Sequence, residues 1–144
     1  METGKVEGDY ILDSSVIIKW FSNEKDTDKS LRLRNSYAKG LSNIACPDLM
    51  IYEIANALRY NKFLKESDVK EAIKSILSLG INIVVPNRRV LESAISLAYR
   101  FNITFYDAYF VALAKELNFE YITADEELYK KTRTIGFIKL LKNM

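Results

Sequence analysis

The chain has 144 residues, a formal net charge of +2, and 49% hydrophobic and 28% charged residues, which suits one globular core that needs no covalent staples. It contains no histidine and a single cysteine, Cys46. That excludes a Ser-His-Asp triad, a Cys-His dyad and an intramolecular disulfide, and leaves almost nothing for a zinc site. Chemistry near neutral pH must then use carboxylates, lysines, hydroxyls and a hard metal ion. The polar start METGKVEGD lacks the apolar core of a signal peptide. No apolar run approaches the roughly 20 residues of a membrane span. The expectation is a soluble cytoplasmic protein with no membrane association.

In chain order, YILD (Tyr10 to Asp13) reads as a buried strand ending in an acid, and SSVIIKWF as the helix that follows. A charged, mostly helical segment from Asn23 to Lys39 is stopped by Gly40. Asn43 to Cys46 is a second short strand before Pro47. Asp48 to Phe63 reads as a helix with Asp48 as its N-cap, and Ser67 to Leu79 as another closed by Gly80. Ile81 to Val85 is a β-branched strand. Helices are expected over Arg88 to Phe101 and Thr104 to Leu117. Phe119 to Thr123 is a strand, a short acidic helix starts at Asp125, and Ile135 to Leu140 is the last strand. Alternating strands and helices predict one α/β domain, core about 10–140, with a mostly parallel sheet. Ligands of such sheets bind beyond the carboxyl ends of the strands.

Four acids occupy unusual places. Asp13 and Asp125 each follow an apolar strand and precede a helix, where N-capping competes with function. Glu53 lies in LMIYEIANAL, a helix apolar in nearly every direction, with Asn56 as its polar neighbour one turn on. A carboxylate there must be paired, hydrogen-bonded or metal-bound, with Arg59 or Lys62 as salt-bridge alternatives. Asp107 sits three residues after Thr104, the spacing of a capping box, yet among aromatic and aliphatic residues. Clustered carboxylates without imidazole or thiolate suit Mg²⁺, with Mn²⁺ as a substitute.

Four segments in order, ILDSSVIIKWF, PDLMIYEIANAL, ITFYDAYFVALAKEL and YITADEEL, resemble the PIN-domain nucleases and, within them, the VapC-type toxins of toxin–antitoxin pairs. The resemblance runs from Tyr10 to about Leu140 and implies a PIN-like three-layer α/β/α sandwich. By motif, Asp13, Glu53, Asp107 and Asp125 match the family's catalytic, metal-holding acids, and Ser15 and Thr123 its supporting hydroxyls. It further implies metal-dependent RNA cleavage, a homodimer, and inhibition by a small VapB-type antitoxin.

The expected mechanism is attack on RNA by a metal-activated water, leaving a 5′-phosphate and a 3′-hydroxyl. Candidate RNA-holding cations are Arg59, Lys62, Lys65, Arg88, Arg89, Arg100, Lys130, Lys131 and Arg133, each also readable as ordinary helix surface. Exposed tyrosines would stack on bases. Trp20 and Phe21 read as core, with a partner contact as the alternative. Rival readings are a Mg²⁺ phosphatase or receiver domain, a PIN nuclease of RNA processing outside toxin–antitoxin biology, and a catalytically silent binding module. The first lacks its pattern, since Asp13-Ser14-Ser15 stands where such phosphatases show Asp-x-Asp.

Overall fold

The computed structural model describes residues 6–144. Five strands, β1 (Gly8–Leu12), β2 (Ser42–Pro47), β3 (Asn82–Val84), β4 (Glu120–Thr123) and β5 (Ile138–Leu140), form one sheet in the order β3-β2-β1-β4-β5. Every neighbouring pair is parallel. The α-helices are α1 (Ser14–Ile17), α2 (Thr27–Ala38), α3 (Leu49–Arg59), α4 (Glu66–Ser78), α5 (Arg88–Phe101), α6 (Phe105–Leu117) and α7 (Glu126–Thr132).

Parallel neighbours can be joined only by crossovers, and crossovers are right-handed. The chain steps from β1 through β2 to β3 in one direction, then jumps past β1 to β4 and on to β5 in the other. Helices α1 to α4 therefore cover one face, and α5 to α7 the other. A sheet covered twice needs apolar residues on both sides of its strands. Tyr10, Ile11 and Leu12 in β1, Ile44, Ala45 and Cys46 in β2, and Tyr121 and Ile122 in β4 are all buried. Among the described residues no helix is long and apolar enough to cross a membrane.

The expected elements are present, with differences at their ends. SSVIIKWF is a single α-turn, α1, followed by a 3-10 turn over Ile18–Trp20. Its β-branched run weakens a regular helix, and Ser30 intervenes: its hydroxyl donates to the Val16 carbonyl at 2.6 Å. The Trp20 indole N–H donates to the Ser30 carbonyl at 3.0 Å. Trp20 is thus a core residue that ties the first turns to α2. Asp48 does not cap α3: its backbone is already helical and its side chain makes no cap bond. Its N–H donates to the Val84 carbonyl at 3.1 Å, continuing the pairing of β2 with β3. Helix α3 stops at Arg59 rather than Phe63, because the Asn61 carboxamide accepts the Phe63 N–H at 2.9 Å and offers the backbone a turn instead. Gly40 and Gly80 end their helices in the left-handed region (φ 75° and 70°), as expected of C-terminal glycines.

Cys46 sits fully buried near the carboxyl end of β2, and its thiol donates to the Leu12 carbonyl of β1 at 3.5 Å. Burial pushes the thiol pKa up to about 12.

Replacing Trp20 with Ala should remove both its packing and its tie to α2. The expected loss is about 3–5 kcal/mol of unfolding free energy, measured by urea denaturation. A loss below about 1 kcal/mol would contradict its core role.

Candidate active site

In this strand order the outgoing connections of β1 and β4 diverge to opposite faces, which opens a crevice at the carboxyl ends of these neighbouring strands. Asp13 follows β1 directly, and its N–H closes the edge by donating to the Ile122 carbonyl at 2.9 Å. Asp125 lies two residues beyond β4. Helix α3 begins where β2 ends, which brings Glu53 to the same edge. Helix α6 contributes Asp107 from its first turn.

Asp13 occupies an N-cap position but caps nothing. Its carboxylate, only 8% exposed, accepts three hydroxyl protons instead. Tyr121 donates to Oδ1 at 2.8 Å, while Ser15 and Thr123 donate to Oδ2 at 2.5 and 3.2 Å. The direction of two of these bonds is forced. Ser15 Oγ accepts the Ala124 N–H at 3.1 Å, and Thr123 Oγ1 accepts the Asp125 N–H at 3.1 Å. Each hydroxyl then has its proton left for Asp13.

Glu53 forms no ion pair with Arg59 or Lys62. Its Oε1 accepts the Ser14 hydroxyl at 2.7 Å. Thr104 caps α6 by accepting the Asp107 N–H at 3.1 Å. The Asp107 carboxylate makes no reciprocal bond, so the expected capping box is only half formed and the carboxylate stays available. Asp125 does cap its helix: its Oδ1 accepts the N–H groups of Glu127 and Leu128, both at 3.0 Å. Among the described residues its second oxygen has no hydrogen-bond partner.

Asp13, Ser14, Ser15, Glu53 and Asp107 line one cavity of about 380 Å³. Asp107 also lines an adjoining cavity of about 230 Å³ together with Asp125 and Lys131, so it joins the two. Burial raises the Glu53 pKa above the ordinary carboxyl value, and the charges of Asp13 and Asp107 add to this against the Ser14 hydrogen bond. The Asp107 pKa is raised by burial and by Asp13, with Asp125 adding and Thr104 and Lys131 opposing. None of the ion pairs among the described residues includes any of the four acids. No three such side chains among the described residues converge into a finished ion shell.

Two residues at this site, Ser14 and Tyr121, escape a reading of the sequence. Ser14 looks like an ordinary helix-start serine. Tyr121 looks like a core aromatic, although period-two alternation puts it on the same side of β4 as Thr123.

A carboxyl group whose native pKa is raised binds protons more readily folded than unfolded. Its contribution is therefore favourable at low pH and is lost as pH rises through the native value. Glu53→Gln keeps the acceptor for Ser14 and removes the charge. In EDTA at pH 8 it should melt about 3 °C or more above wild type, and the gap should close towards pH 4. Equal melting temperatures across a pH series would contradict the crowding described.

Comparison with known proteins shows similarity in sequence and in fold. The chain is 28% identical over 125 residues to Ribonuclease VapC3 of Pyrobaculum aerophilum, covering 84% of this chain and 92% of that one. Its fold matches a toxin–antitoxin complex from Klebsiella pneumoniae with a TM-score of 0.69 at 16% identity, covering 92% of this chain and 97% of that one. It also matches VapC20 of Mycobacterium tuberculosis, described as a Sarcin-Ricin loop cleaving toxin, with a TM-score of 0.67 at 15% identity and coverage of 89% and 95%. The sequence model of the PIN domain matches residues 10–133. With that match spanning β1 to α7, and the parallel sheet presenting its acids at the β1–β4 crevice, the chain belongs to the PIN domain family.

Proposed function

We propose that this protein is a divalent-metal-dependent endoribonuclease and the toxin of a toxin–antitoxin pair. The observation that carries the reading is the meeting of Asp13, Glu53 and Asp107, from three separate elements, in one cavity, none of them in an ion pair among the described residues. Crowded, partly buried carboxylates with raised pKa values suit a cation. An all-oxygen donor set suits Mg²⁺ or Mn²⁺, and an open set suits Mg²⁺, which keeps several of its waters. Asp13, Glu53 and Asp107 would hold the ion, with Asp125 at the adjoining cavity. Bound there, it would supply a water activated at neutral pH and neutralise charge on the scissile phosphate, chemistry for which this chain has no histidine.

The chain's own groups orient the donors. Ser14 fixes Glu53, and Ser15 and Thr123 fix Asp13. Lys131, anchored by donating to the Asn102 carbonyl at 3.2 Å, stands beside Asp107 and Asp125, where a phosphate oxygen would approach.

The candidate RNA-holding cations differ in what they touch. Arg88 pairs with Glu92 at 2.8 Å, and Arg89 with Glu116 at 3.2 Å. The Arg100 guanidinium lies over its neighbour Phe101, as Arg59 lies over Tyr60 and the Lys62 ammonium over Phe63. Arg59, Lys62 and Lys65 have no ion-pair partner among the described residues and cluster where α3 turns into α4. Between them Tyr60 and Phe63 are 73% and 84% exposed. Glu53, Ala57 and Tyr60 follow an i, i+4, i+7 row, so one face of α3 leads from the acidic cavity to this basic, aromatic corner. Phosphates would rest on the cations and bases on the rings.

An antitoxin partner is supported by the toxin–antitoxin complexes among the structures of similar fold. A homodimer is supported by an apolar cleft of about 230 Å³ lined by Leu49, Tyr52, Leu91, Phe105 and Tyr106, two of whose tyrosines are exposed.

Purified protein should cleave structured RNA with Mg²⁺ and stop in EDTA. Asp107→Asn should cut the rate by about 100-fold or more, and products should carry 5′-phosphates. Cleavage that survives both EDTA and the substitution would refute the metal–carboxylate reading, as would 2′,3′-cyclic phosphate ends. In the Asp107→Asn background, Arg59→Ala with Lys62→Ala should weaken RNA binding. The slope of log affinity against log salt should become shallower by roughly 0.7 for each phosphate no longer neutralised; an unchanged slope would move the phosphate track elsewhere.

A further inference from the structure

Tyr121 is a core residue with an unusual expenditure of polarity. It is fully buried in β4, and its ring packs against Phe110 with centroids 6.0 Å apart. Phenylalanine would fill that volume equally well. A buried phenol hydroxyl is costly unless it is hydrogen-bonded, and among the described residues the only partner this one has is Asp13 Oδ1, at 2.8 Å.

A carboxylate torsion is soft: the plane of an Asp side chain turns through a broad, roughly two-fold well. Ser15 and Thr123 hold only Oδ2, which acts as a pivot. Fixing the plane requires a hold on the other oxygen, and among the described residues Tyr121 supplies it. Lone pairs give the second half of the argument. A carboxylate offers about four acceptor sites; Ser15 and Thr123 take both on Oδ2, and Tyr121 takes one on Oδ1. One site is left, and it is on Oδ1.

We infer that Tyr121 is a positioning residue for Asp13: its buried hydroxyl locks the carboxylate plane and leaves a single Oδ1 lone pair to meet a divalent cation, so that Asp13 binds through one oxygen only. This rests on the metal-dependent reading of the site. Tyr121 touches neither substrate nor metal and acts through Asp13.

The test is Tyr121→Phe, which removes one oxygen and keeps the ring. Mn²⁺ affinity is read by electron paramagnetic resonance on RNA-free protein, next to the melting temperature in EDTA and steady-state RNA cleavage. Loss of an orienting partner behind a metal ligand should weaken Mn²⁺ binding about 10-fold or more and lower kcat with KM for RNA little changed. A variant that melts earlier yet binds Mn²⁺ and turns over like wild type would make Tyr121 a packing residue and overturn the inference. Phe110→Leu, which loosens the packing around the Tyr121 ring and leaves its hydroxyl in place, should keep Mn²⁺ affinity near wild type. Loss there equal to that of Tyr121→Phe would tie the effect to β4 packing and overturn it too. Wild type that binds Mn²⁺ but cleaves no RNA would defeat the nuclease reading alone, since the affinity comparison needs no RNA. Wild type that binds no Mn²⁺ would defeat both.

Discussion

Anions crowded at one edge of a parallel sheet repel each other, and a hydrophobic core cannot relieve that. Here the crowding follows from topology: the chain turns back after β3 and adds β4 on the far side of β1, so the ends of β1 and β4 open onto a single crevice, which α3 and α6 also reach. Asp13 is the fixed point of the arrangement. Its three hydroxyl donors come from the first turn of α1 and from alternate positions of β4, so the two central strands are joined at their ends by side chains as well as by their ladder. Glu53 and Asp107 are then set against this fixed charge, Glu53 through Ser14 and Asp107 by the cap of its helix.

The energetic consequence is a division of labour. The stabilising burial lies below the site, in Ile11, Leu12, Ile122 and Phe110 and in the helices that cover them. The edge itself is a place of net cost, where the partly buried carboxyl groups of Glu53 and Asp107 have raised pKa values that one nearby cation, Lys131, offsets only in part. Stability surrendered locally for the sake of charge is common at working sites, because the surrounding fold over-determines the positions.

Much of this is legible in the sequence, for identifiable reasons. The β-branched and apolar runs bounded by Gly and Pro reveal the strands, and strand–helix alternation reveals the parallel sheet. Glu53 stands out because no soluble helix spends a carboxylate in the middle of apolar residues without cause. The sequence is less informative where a residue has two equally ordinary uses. Asp48 has the look of a cap but serves the edge of the β2–β3 pairing. Asp125 is a cap and also lines a cavity with Asp107. Phe63 seems to prolong α3 until Asn61 diverts the backbone. Ser14 and Tyr121 show nothing in one dimension, because their significance is a bond to a residue 39 and 108 positions away. Arg59, Lys62 and Lys65 differ from Arg89 of α5 in lacking an ion-pair partner among the described residues, and the Arg89–Glu116 pair is a fact of tertiary structure.

Cys46 gives the protein a built-in reporter. Its thiol lies under β1, bonded to the carbonyl of the residue before Asp13, and with a pKa near 12 it holds almost no thiolate at neutral pH. A thiol-specific reagent therefore reacts only when a local opening exposes this side chain. The labelling rate becomes a clock for that opening, readable in the natural sequence without any introduced probe, because no second cysteine competes for the label.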